Sequence, residues 1–466
     1  MTSIKKNFFY NASYQVLTLI LPLITTPYIS RVMGAEKVGI YSYAYSIAYY
    51  FGLFILLGLN NYGNRTIAGV REDKEKLSKT FWSIYAMQLL LGIMIVAIYL
   101  IYCVFIAQNQ LMALIQLIYL ISVMLDINWF FFGLEQFKLT VTRNTIIKIL
   151  TVTFILCFVK SVDDLYIYAM IMVTGPLISQ LYLWLFLRKY ISFSKISWND
   201  IIKHIVPNLT LFIPVIAISL YTTMAKILLG AMTNMTEVGY FESANKLTII
   251  PSTAISALGT VMLPRISNMV AHGQHQQTMQ YLQKSLIVSV FLSMSMSLGI
   301  SAVSKEFVPI FYGSGFQKCE ILIPILVLSA IFVSWANVIR TQYLIPYKKD
   351  KIYIQSVFLG AIFNIFINIL LIPMFHSMGA AVGSLCAEIA VCFYQTFMVR
   401  KELKIKLYLN QSLPFVISGI IMYVIVIFIP FFHNYLMTII IKVLIGGIIY
   451  LALSGLYYKF ILKQIF

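Results

Sequence analysis

Long apolar runs follow one another through the whole chain and are separated by short polar segments. A run of about 20 apolar residues is long enough to cross a bilayer as a helix. The runs are continuously apolar instead of alternating, which favours helices over the strands of a membrane barrel. We therefore expect an all-α, polytopic membrane protein with about fourteen transmembrane helices. The predicted spans are residues 8–30, 38–62, 80–106, 111–133, 144–160, 166–187, 206–230, 238–262, 284–303, 320–345, 352–373, 378–399, 413–432 and 435–460.

Composition supports a membrane protein and argues against other classes. Of the 466 residues, 60% are hydrophobic and 11% are charged, whereas soluble domains carry about 25% charged residues. The net charge of +18 is concentrated in short loops between apolar runs, so it does not indicate a nucleic-acid partner. The five cysteines lack the spacing of a metal or disulfide site and are interpreted as small core residues.

The polar loops differ sharply in their content of Lys and Arg, which predicts the orientation in the membrane. With the N-terminus inside, 24 of the 34 Lys and Arg residues fall in cytoplasmic segments and five fall outside. Basic residues favour the cytoplasmic side of short loops. We therefore expect both termini to be cytoplasmic.

Two segments that follow the first and the seventh span share a short pattern: a cation, Gly-Ala, a turn, and Val-Gly followed by an aromatic residue. The matching residues are Arg31 with Lys226, Gly34 with Gly230, Val38 with Val238, and Gly39 with Gly239. This similarity predicts two pseudo-repeated six-helix lobes, residues 1–200 and 201–405, with an appended helix pair at 406–466. Chance similarity between two Gly-rich turns is the alternative.

The segment from Pro27 to Gly34, the residues Val38 to Tyr41 that follow it, and the span count together resemble the Wzx-type polysaccharide flippases of the multidrug/oligosaccharidyl-lipid/polysaccharide exporter superfamily. The resemblance implies two lobes around a central cavity that works by alternating access in a bacterial cytoplasmic membrane. It also implies a cargo of oligosaccharide on undecaprenyl diphosphate, destined for capsule or another surface polysaccharide. Membrane lipid, a polysaccharide polymerase and chain-length machinery are the expected partners.

Ionisable residues inside the predicted spans are candidates for function, because a charge at the bilayer centre costs at least about 2.5–3.5 kcal/mol. A cationic site suits an anionic cargo, since guanidinium and ammonium groups both bind phosphate. Arg31, which directly follows the first span and matches Lys226 in the repeated pattern, is a candidate for binding the diphosphate together with Lys226 and Lys246. The candidates for cavity charge or coupling are Asp126, Glu242, Arg340 and Glu388. Glu242 and Lys246 are spaced to pair on one helix face, and a purely structural ion pair is the alternative for them. Contact with lipid headgroups is the alternative for Arg31 and Lys226.

Sugar recognition needs hydrogen-bonding groups and flat apolar faces, which some spans supply. Tyr41 and Tyr45 belong to one stripe on the second span. The amide candidates are Asn60, Asn245, Asn364 and Asn368. Ordinary packing between helices is the alternative for each of these residues.

Three other functions compete with a polysaccharide flippase. A teichoic or teichuronic acid exporter is a close variant, and a multidrug exporter of the same superfamily would favour acidic residues over these cations. A membrane enzyme would need a sizeable catalytic loop, and no catalytic or phosphate-binding motif occurs. His272 and His275 lack further ligands for a metal. We expect no cofactor, with transport coupled to the membrane potential, H⁺ or Na⁺.

Overall fold

All regular structure in the described part of the chain is helical. The computed structural model describes the backbone of residues 4–460, and side chains from 20 to 457 except at 254, 255, 257, 258, 260 and 261. The α-helices are α1 (Ile4–Leu56), α2 (Leu59–Val70), α3 (Lys74–Phe105), α4 (Gln110–Met124), α5 (Asn128–Gly133), α6 (Phe137–Phe158), α7 (Leu165–Leu187), α8 (Trp198–Ile202), α9 (Ile205–Thr222), α10 (Met224–Met232), α11 (Met235–Leu247), α12 (Ile249–Ala271), α13 (His275–Phe311), α14 (Cys319–Ile339), α15 (Asp350–Phe375), α16 (Ser377–Val399), α17 (Ile405–Ile427) and α18 (Tyr435–Phe460). The prediction of an all-α polytopic membrane protein is confirmed.

Twelve segments among the described residues are long and apolar enough to cross a membrane. The difference from the fourteen predicted spans has two sources. The first two predicted spans form one element, α1, which bends at Gly34, where φ is 71°; this backbone conformation favours glycine. The eighth predicted span corresponds to α11 and α12, which are not among the twelve segments. The number fourteen remains a prediction, and the side chains of residues 8–19 in the first span lie outside the described residues.

Two predicted spans differ from the helices that form there. The fourth predicted span is broken between α4 and α5, and Asp126 lies in the break, where its carboxylate accepts a hydrogen bond of 2.7 Å from the backbone N–H of Asn128. Local bonds of this kind compete with helical hydrogen bonding. The fifth predicted span starts earlier than expected, at Phe137 instead of residue 144, so Arg143 lies inside α6 and not in a cytoplasmic loop.

The chain divides into two compact units, Met1–Ser219 and Leu220–Phe466. The first unit contains α1 to α8 and most of α9. The second contains the last residues of α9 and then α10 to α18. The three predicted segments 1–200, 201–405 and 406–466 remain a prediction.

In the first unit, α1 packs against α3, α4 and α6, and α7 packs against α4 and α6. Ile29, Met33 and Val38, on either side of the bend in α1, are buried with Met112 of α4 and Val173 of α7. A second apolar cluster contains Phe81 of α3 and Trp129, Phe130 and Phe131 of α5. The bend in α1 is therefore held inside a packed core.

In the second unit, the long helix α13 packs against α12, α14, α17 and α18, while α15 packs closely on α16. The approach of α15 and α16 depends on glycine. A Cβ atom added at Gly379 would lie 2.5 Å from the backbone of Leu371, and one at Gly383 would collide with Asn368 Oδ1. Small residues spaced four apart let membrane helices approach closely.

Candidate functional site

The two similar sequence segments adopt the same local arrangement, although they belong to different units. In the first unit, Arg31 precedes the bend at Gly34. In the second, Lys226 lies in α10, which ends at Met232 before α11 begins at Met235. The Val-Gly pair that follows is buried in both segments, at residues 38–39 and 238–239. Each segment therefore forms a helix, a break and a second helix, with a cation on the first helix.

Arg31 is exposed, whereas the corresponding cation of the second unit, Lys226, is largely buried. Lys226 Nζ lies 3.0 Å from Glu242 Oε2, which joins α10 to α11 across the break between them. Lys246 Nζ lies 3.9 Å from the other carboxylate oxygen of Glu242. The structure therefore brings together Lys226, Glu242 and Lys246, and the nearer partner of Glu242 is Lys226 instead of the predicted i,i+4 partner.

The Lys226–Glu242–Lys246 cluster contains two ammonium groups and one carboxylate. One carboxylate cannot neutralise both lysines, so the three side chains carry a net positive charge. The lysines differ in accessibility: the side chain of Lys226 is 13% exposed and that of Lys246 is 32% exposed. An incoming anion can therefore reach Lys246 more easily than Lys226.

A second polar group, in the first unit, contains a buried arginine that sequence reasoning placed in a loop. Arg143 is 4% exposed and donates hydrogen bonds to the Ser179 carbonyl at 3.0 Å and to Asn128 Oδ1 at 2.8 Å. Asn128 in turn donates to Asp126 Oδ1 at 2.7 Å. The missed signal is that no Gly or Pro separates Phe137 from Arg143, so nothing stops the helix from starting before the apolar run.

Arg143 and Asn128 line a cavity of about 380 Å³ within the first unit. Lys148, another charged residue of α6, also lines it, together with the apolar residues Leu21 and Ile155. Asp126 is electrostatically coupled to Arg143 through this network. The first unit therefore has its own cavity, which is lined by two cations, Arg143 and Lys148, and by Asn128, the residue that links Arg143 to Asp126.

The predicted tyrosine stripe is present on α1. The rings of Tyr41 and Tyr45 stack with their centroids 6.1 Å apart. Tyr41 also packs edge-on against Tyr168 of α7, and Tyr45 against Tyr119 of α4. The stripe is half-buried and is thus fixed to two neighbouring helices of the first unit.

Arg340 and Glu388, two predicted coupling residues, interact electrostatically in the second unit. The guanidinium of Arg340 donates to Asn337 Oδ1 at 2.7 Å and lies 5.5 Å from the ring centroid of Tyr353. Arg340 begins a five-residue π-helix that ends at Leu344. Short π-helical segments are rare and often occur at functional sites.

The predicted amide residues occupy different environments. Asn364 and Asn368 have no exposed surface, and Asn368 donates to Asn364 Oδ1 at 2.9 Å. Asn368 is covered by Gly383 of α16, so in this conformation both amides serve the packing of α15 on α16. Asn60, at the start of α2, is exposed, and Asn245 on α11 is partly buried. Contact of these four amides with sugar remains a prediction.

Glu237 is a charged residue that sequence reasoning did not select. Both of its carboxylate oxygens lie 2.7 Å from Lys318 Nζ, and Oε2 also accepts a hydrogen bond of 3.1 Å from the backbone N–H of Ser377. Burial raises the pKa of Glu237, but hydrogen bonds from Lys318 and Ser377 lower it further, so the pKa lies below the usual value. The available signal was the position of Glu237 in the first turn of α11, where an acidic side chain is favourable.

Known proteins resemble this chain over all or part of its length. A putative O-antigen transporter of Escherichia coli (strain K12) is 22% identical over 405 residues, which is 86% of this chain and 97% of the relative. A probable low-salt glycan biosynthesis flippase, Agl15 of Haloferax volcanii, is 25% identical over 35% of this chain and 34% of its own length. The names of these relatives describe transport, in agreement with the prediction of a transporter instead of an enzyme.

The fold matches a solved structure of the lipid II flippase MurJ in an inward closed conformation, with a TM-score of 0.81, 16% sequence identity, and coverage of 97% of this chain and 99% of that chain. The model of a family described as polysaccharide biosynthesis protein matches residues 4–270. The resemblance to polysaccharide flippases is confirmed at the level of the family. The chain belongs to the polysaccharide biosynthesis protein family.

Proposed function

We propose that the protein is a flippase that moves oligosaccharide units linked to undecaprenyl diphosphate from the cytoplasmic to the outer leaflet, for capsule or another surface polysaccharide. The observation that carries this proposal is the Lys226–Glu242–Lys246 cluster, a net positive site beside a helix break in a membrane protein of this family. Its relatives are named for O-antigen and glycan transport. A cationic site inside a membrane protein favours an anionic cargo.

Arg31 and the two lysines supply complementary chemistry for a diphosphate. A guanidinium can bind two phosphate oxygens at once, whereas an ammonium acts as a point charge that adapts to several positions. Arg31 is exposed on the first unit. We assign binding of the diphosphate to Arg31, Lys246 and Lys226, and binding of sugars to Tyr41 and Tyr45 with the predicted amides.

The geometry of Glu242 supports a switch. Lys246 is the more exposed lysine and lies farther from the carboxylate, at 3.9 Å compared with 3.0 Å for Lys226. A phosphate that binds Lys246 withdraws this lysine from Glu242, and the Lys226–Glu242 pair across the helix break then strengthens. Cargo binding would thus change the balance of charge between α10 and α11 and bias alternating access.

The membrane potential favours outward movement of such a cargo. A charge crossing the bilayer gains about 2.3 kcal/mol per 100 mV, so about two negative charges moving outward gain about 4.6 kcal/mol. Asp126 and Glu388 are the carboxylates through which H⁺ or Na⁺ would add a second coupling. An exporter for teichoic or teichuronic acids is a close variant of this function and is the second candidate.

The experiment uses a strain that lacks the chromosomal gene and depends on plasmid-encoded protein for its surface polysaccharide. We expect Arg31→Ala to abolish the polysaccharide while the protein reaches the membrane at the normal level, and Arg31→Lys to restore it only in part. Lys37→Ala is the matched control, because it removes a cation six residues away on the same helix and leaves the three assigned cations intact. Normal polysaccharide from a double Arg31→Ala, Lys226→Ala variant would rule out the site.

A further inference from the structure

Two cavities of unequal polarity lie next to each other in the second unit, among α13, α14, α17 and α18. The first has a volume of about 740 Å³ and is lined by four charged residues and two tyrosines, together with apolar residues of α14 and α17. The second, of about 320 Å³, is mainly apolar. Ala302 and Lys442 line both cavities, so the polar and the apolar space are contiguous. Both volumes fall in the range of small-molecule sites, about 300–1,000 Å³.

The charged cavity is lined by a buried ion pair in which one carboxylate oxygen has no hydrogen-bond donor among the described residues. Glu306 of α13 is 7% exposed and Lys442 of α18 is 5% exposed. Lys442 Nζ donates to Glu306 Oε1 at 2.7 Å, whereas Glu306 Oε2 is buried and has no hydrogen-bond donor among the described residues. A buried acceptor without a donor costs about 1–3 kcal/mol, and more when it is charged. The site therefore favours a ligand that donates an N–H or O–H group to Glu306.

Two further charges line the same cavity without forming an ion pair in the described part of the chain: Lys305, which is exposed, and Glu320, which is partly exposed. Together with Glu306 and Lys442, they give two positive and two negative charges. Tyr423 and Tyr435 also line this cavity, and tyrosine rings attract cations. A zwitterion with a primary ammonium and an anionic group matches this set better than a purely anionic ligand.

The apolar cavity has the character of a chain-binding groove. It is lined by Gly299, Gly446 and Gly447 with Val443 and Leu451. A Cβ atom added at Gly447 would meet no atom within 4 Å, so this glycine leaves space that a larger side chain could fill. By the predicted orientation, α13 ends and α14 begins on the outer side, which places the charged cavity toward the outer leaflet.

We propose that these contiguous cavities bind a phospholipid whose headgroup carries a primary ammonium and a phosphate. The ammonium donates to Glu306 Oε2, the phosphate meets Lys305, and one acyl chain occupies the apolar cavity beside Gly447. This site lies within the second unit, and its ligand is a resident lipid distinct from the transported cargo. The bound lipid would make the packing of α18 against α13 depend on the lipid composition of the membrane.

The test measures lipid retention by the full-length protein, purified in detergent and stripped of lipid. Native mass spectrometry would follow the addition of phosphatidylethanolamine, phosphatidylcholine or phosphatidylglycerol, one at a time. We expect phosphatidylethanolamine to bind about tenfold more tightly than phosphatidylcholine, the effect of one hydrogen bond to a charged group, and more tightly than phosphatidylglycerol, which is purely anionic. The quaternary ammonium of phosphatidylcholine cannot donate this bond. Equal retention of phosphatidylethanolamine and phosphatidylcholine would overturn the proposal.

Single substitutions test whether the lipid binds in these two cavities. Glu306→Gln should remove the preference for phosphatidylethanolamine, and Gly447→Leu should lower retention by filling the apolar cavity. Gly455→Leu is the matched control, because Gly455 lies on the same helix, also has space for a side chain, and does not line the two cavities. If Glu306→Gln fails to fold, the Gly447→Leu and Gly455→Leu pair decides the question. Equal retention by these two variants would refute the proposal.

Discussion

Substituting Ala for Gly379 tests whether α15 and α16 depend on one close backbone approach. The added Cβ atom would lie 2.5 Å from the carbonyl carbon and oxygen of Leu371. Optimal contact between carbon atoms is about 3.5–4.0 Å, so the helices must separate by about 1 Å. Leu371 presents its backbone here, which cannot rotate away as a flexible side chain could.

The expected magnitude follows from two opposing effects. Overpacking a close contact costs about 1–3 kcal/mol, whereas replacing Gly by Ala in a helix gains up to about 1 kcal/mol. We therefore expect Gly379→Ala to lower the free energy of unfolding by about 1–2 kcal/mol. Gly455→Ala on α18 is the matched control, because its Cβ would meet nothing within 4 Å. This control should be neutral or stabilising.

The assay is thermal unfolding of the purified full-length protein in detergent, with the three proteins measured under identical conditions. A loss of 1 kcal/mol lowers Tm by about 2–4 °C in a unit of 150–250 residues. Gly379→Ala should therefore melt below the wild type, and Gly455→Ala at or above it. If Gly379→Ala melts at the wild-type temperature or higher, the close approach of α15 and α16 does not limit the stability of this unit.

Three further predictions address charge, energy and topology, and a fourth concerns pH. A charge swap of Glu242→Lys with Lys246→Glu should impair transport if the cluster is a switch, and full transport would make the pair merely structural. Transport in liposomes should respond to an imposed potential without ATP, so rates that stay the same between zero and about −100 mV inside would contradict the proposed energy source. Reporter fusions should read outside at Asn109 and inside at Lys404, and the opposite pattern would invert the topology. Because the pKa of Glu237 is lowered, the stabilising contribution of this carboxylate is present above its unfolded-state pKa of about 4.3 and is lost as the pH falls through the folded-state pKa. Glu237→Gln should therefore reduce the decrease of Tm at acidic pH. If Tm depends on pH in the same way in this variant, the Glu237–Lys318 pair does not explain the acid dependence.

The positions of the charged residues show where prediction from sequence succeeded and where it did not. The i,i+4 spacing correctly suggested that Glu242 and Lys246 are neighbours, because helix geometry fixes that distance locally. It could not reveal that Lys226, sixteen residues away, lies closer to Glu242 at 3.0 Å. That contact depends on how α10 and α11 are oriented around the break between them.

Arg143 illustrates a second limit. Its position before the apolar run suggested a cytoplasmic loop, but α6 begins at Phe137 and buries the guanidinium against Ser179 and Asn128. An arginine can lie inside a helical membrane protein when polar groups from neighbouring helices satisfy its donors. The sequence shows the arginine but not the partners, which come from α5 and α7.

The sequence by itself determined the class of protein and the positions of most of its membrane helices. Bilayer thickness fixes the length of an apolar helix, and the absence of water in the bilayer core requires the backbone to satisfy its own hydrogen bonds. Only the tertiary structure decided which charges meet, where the helices break, and that Glu306 and Lys442 are buried together between α13 and α18. The physical reason is that lipid chains are as apolar as a protein core, so hydrophobicity does not distinguish a helix face that touches lipid from one that touches another helix.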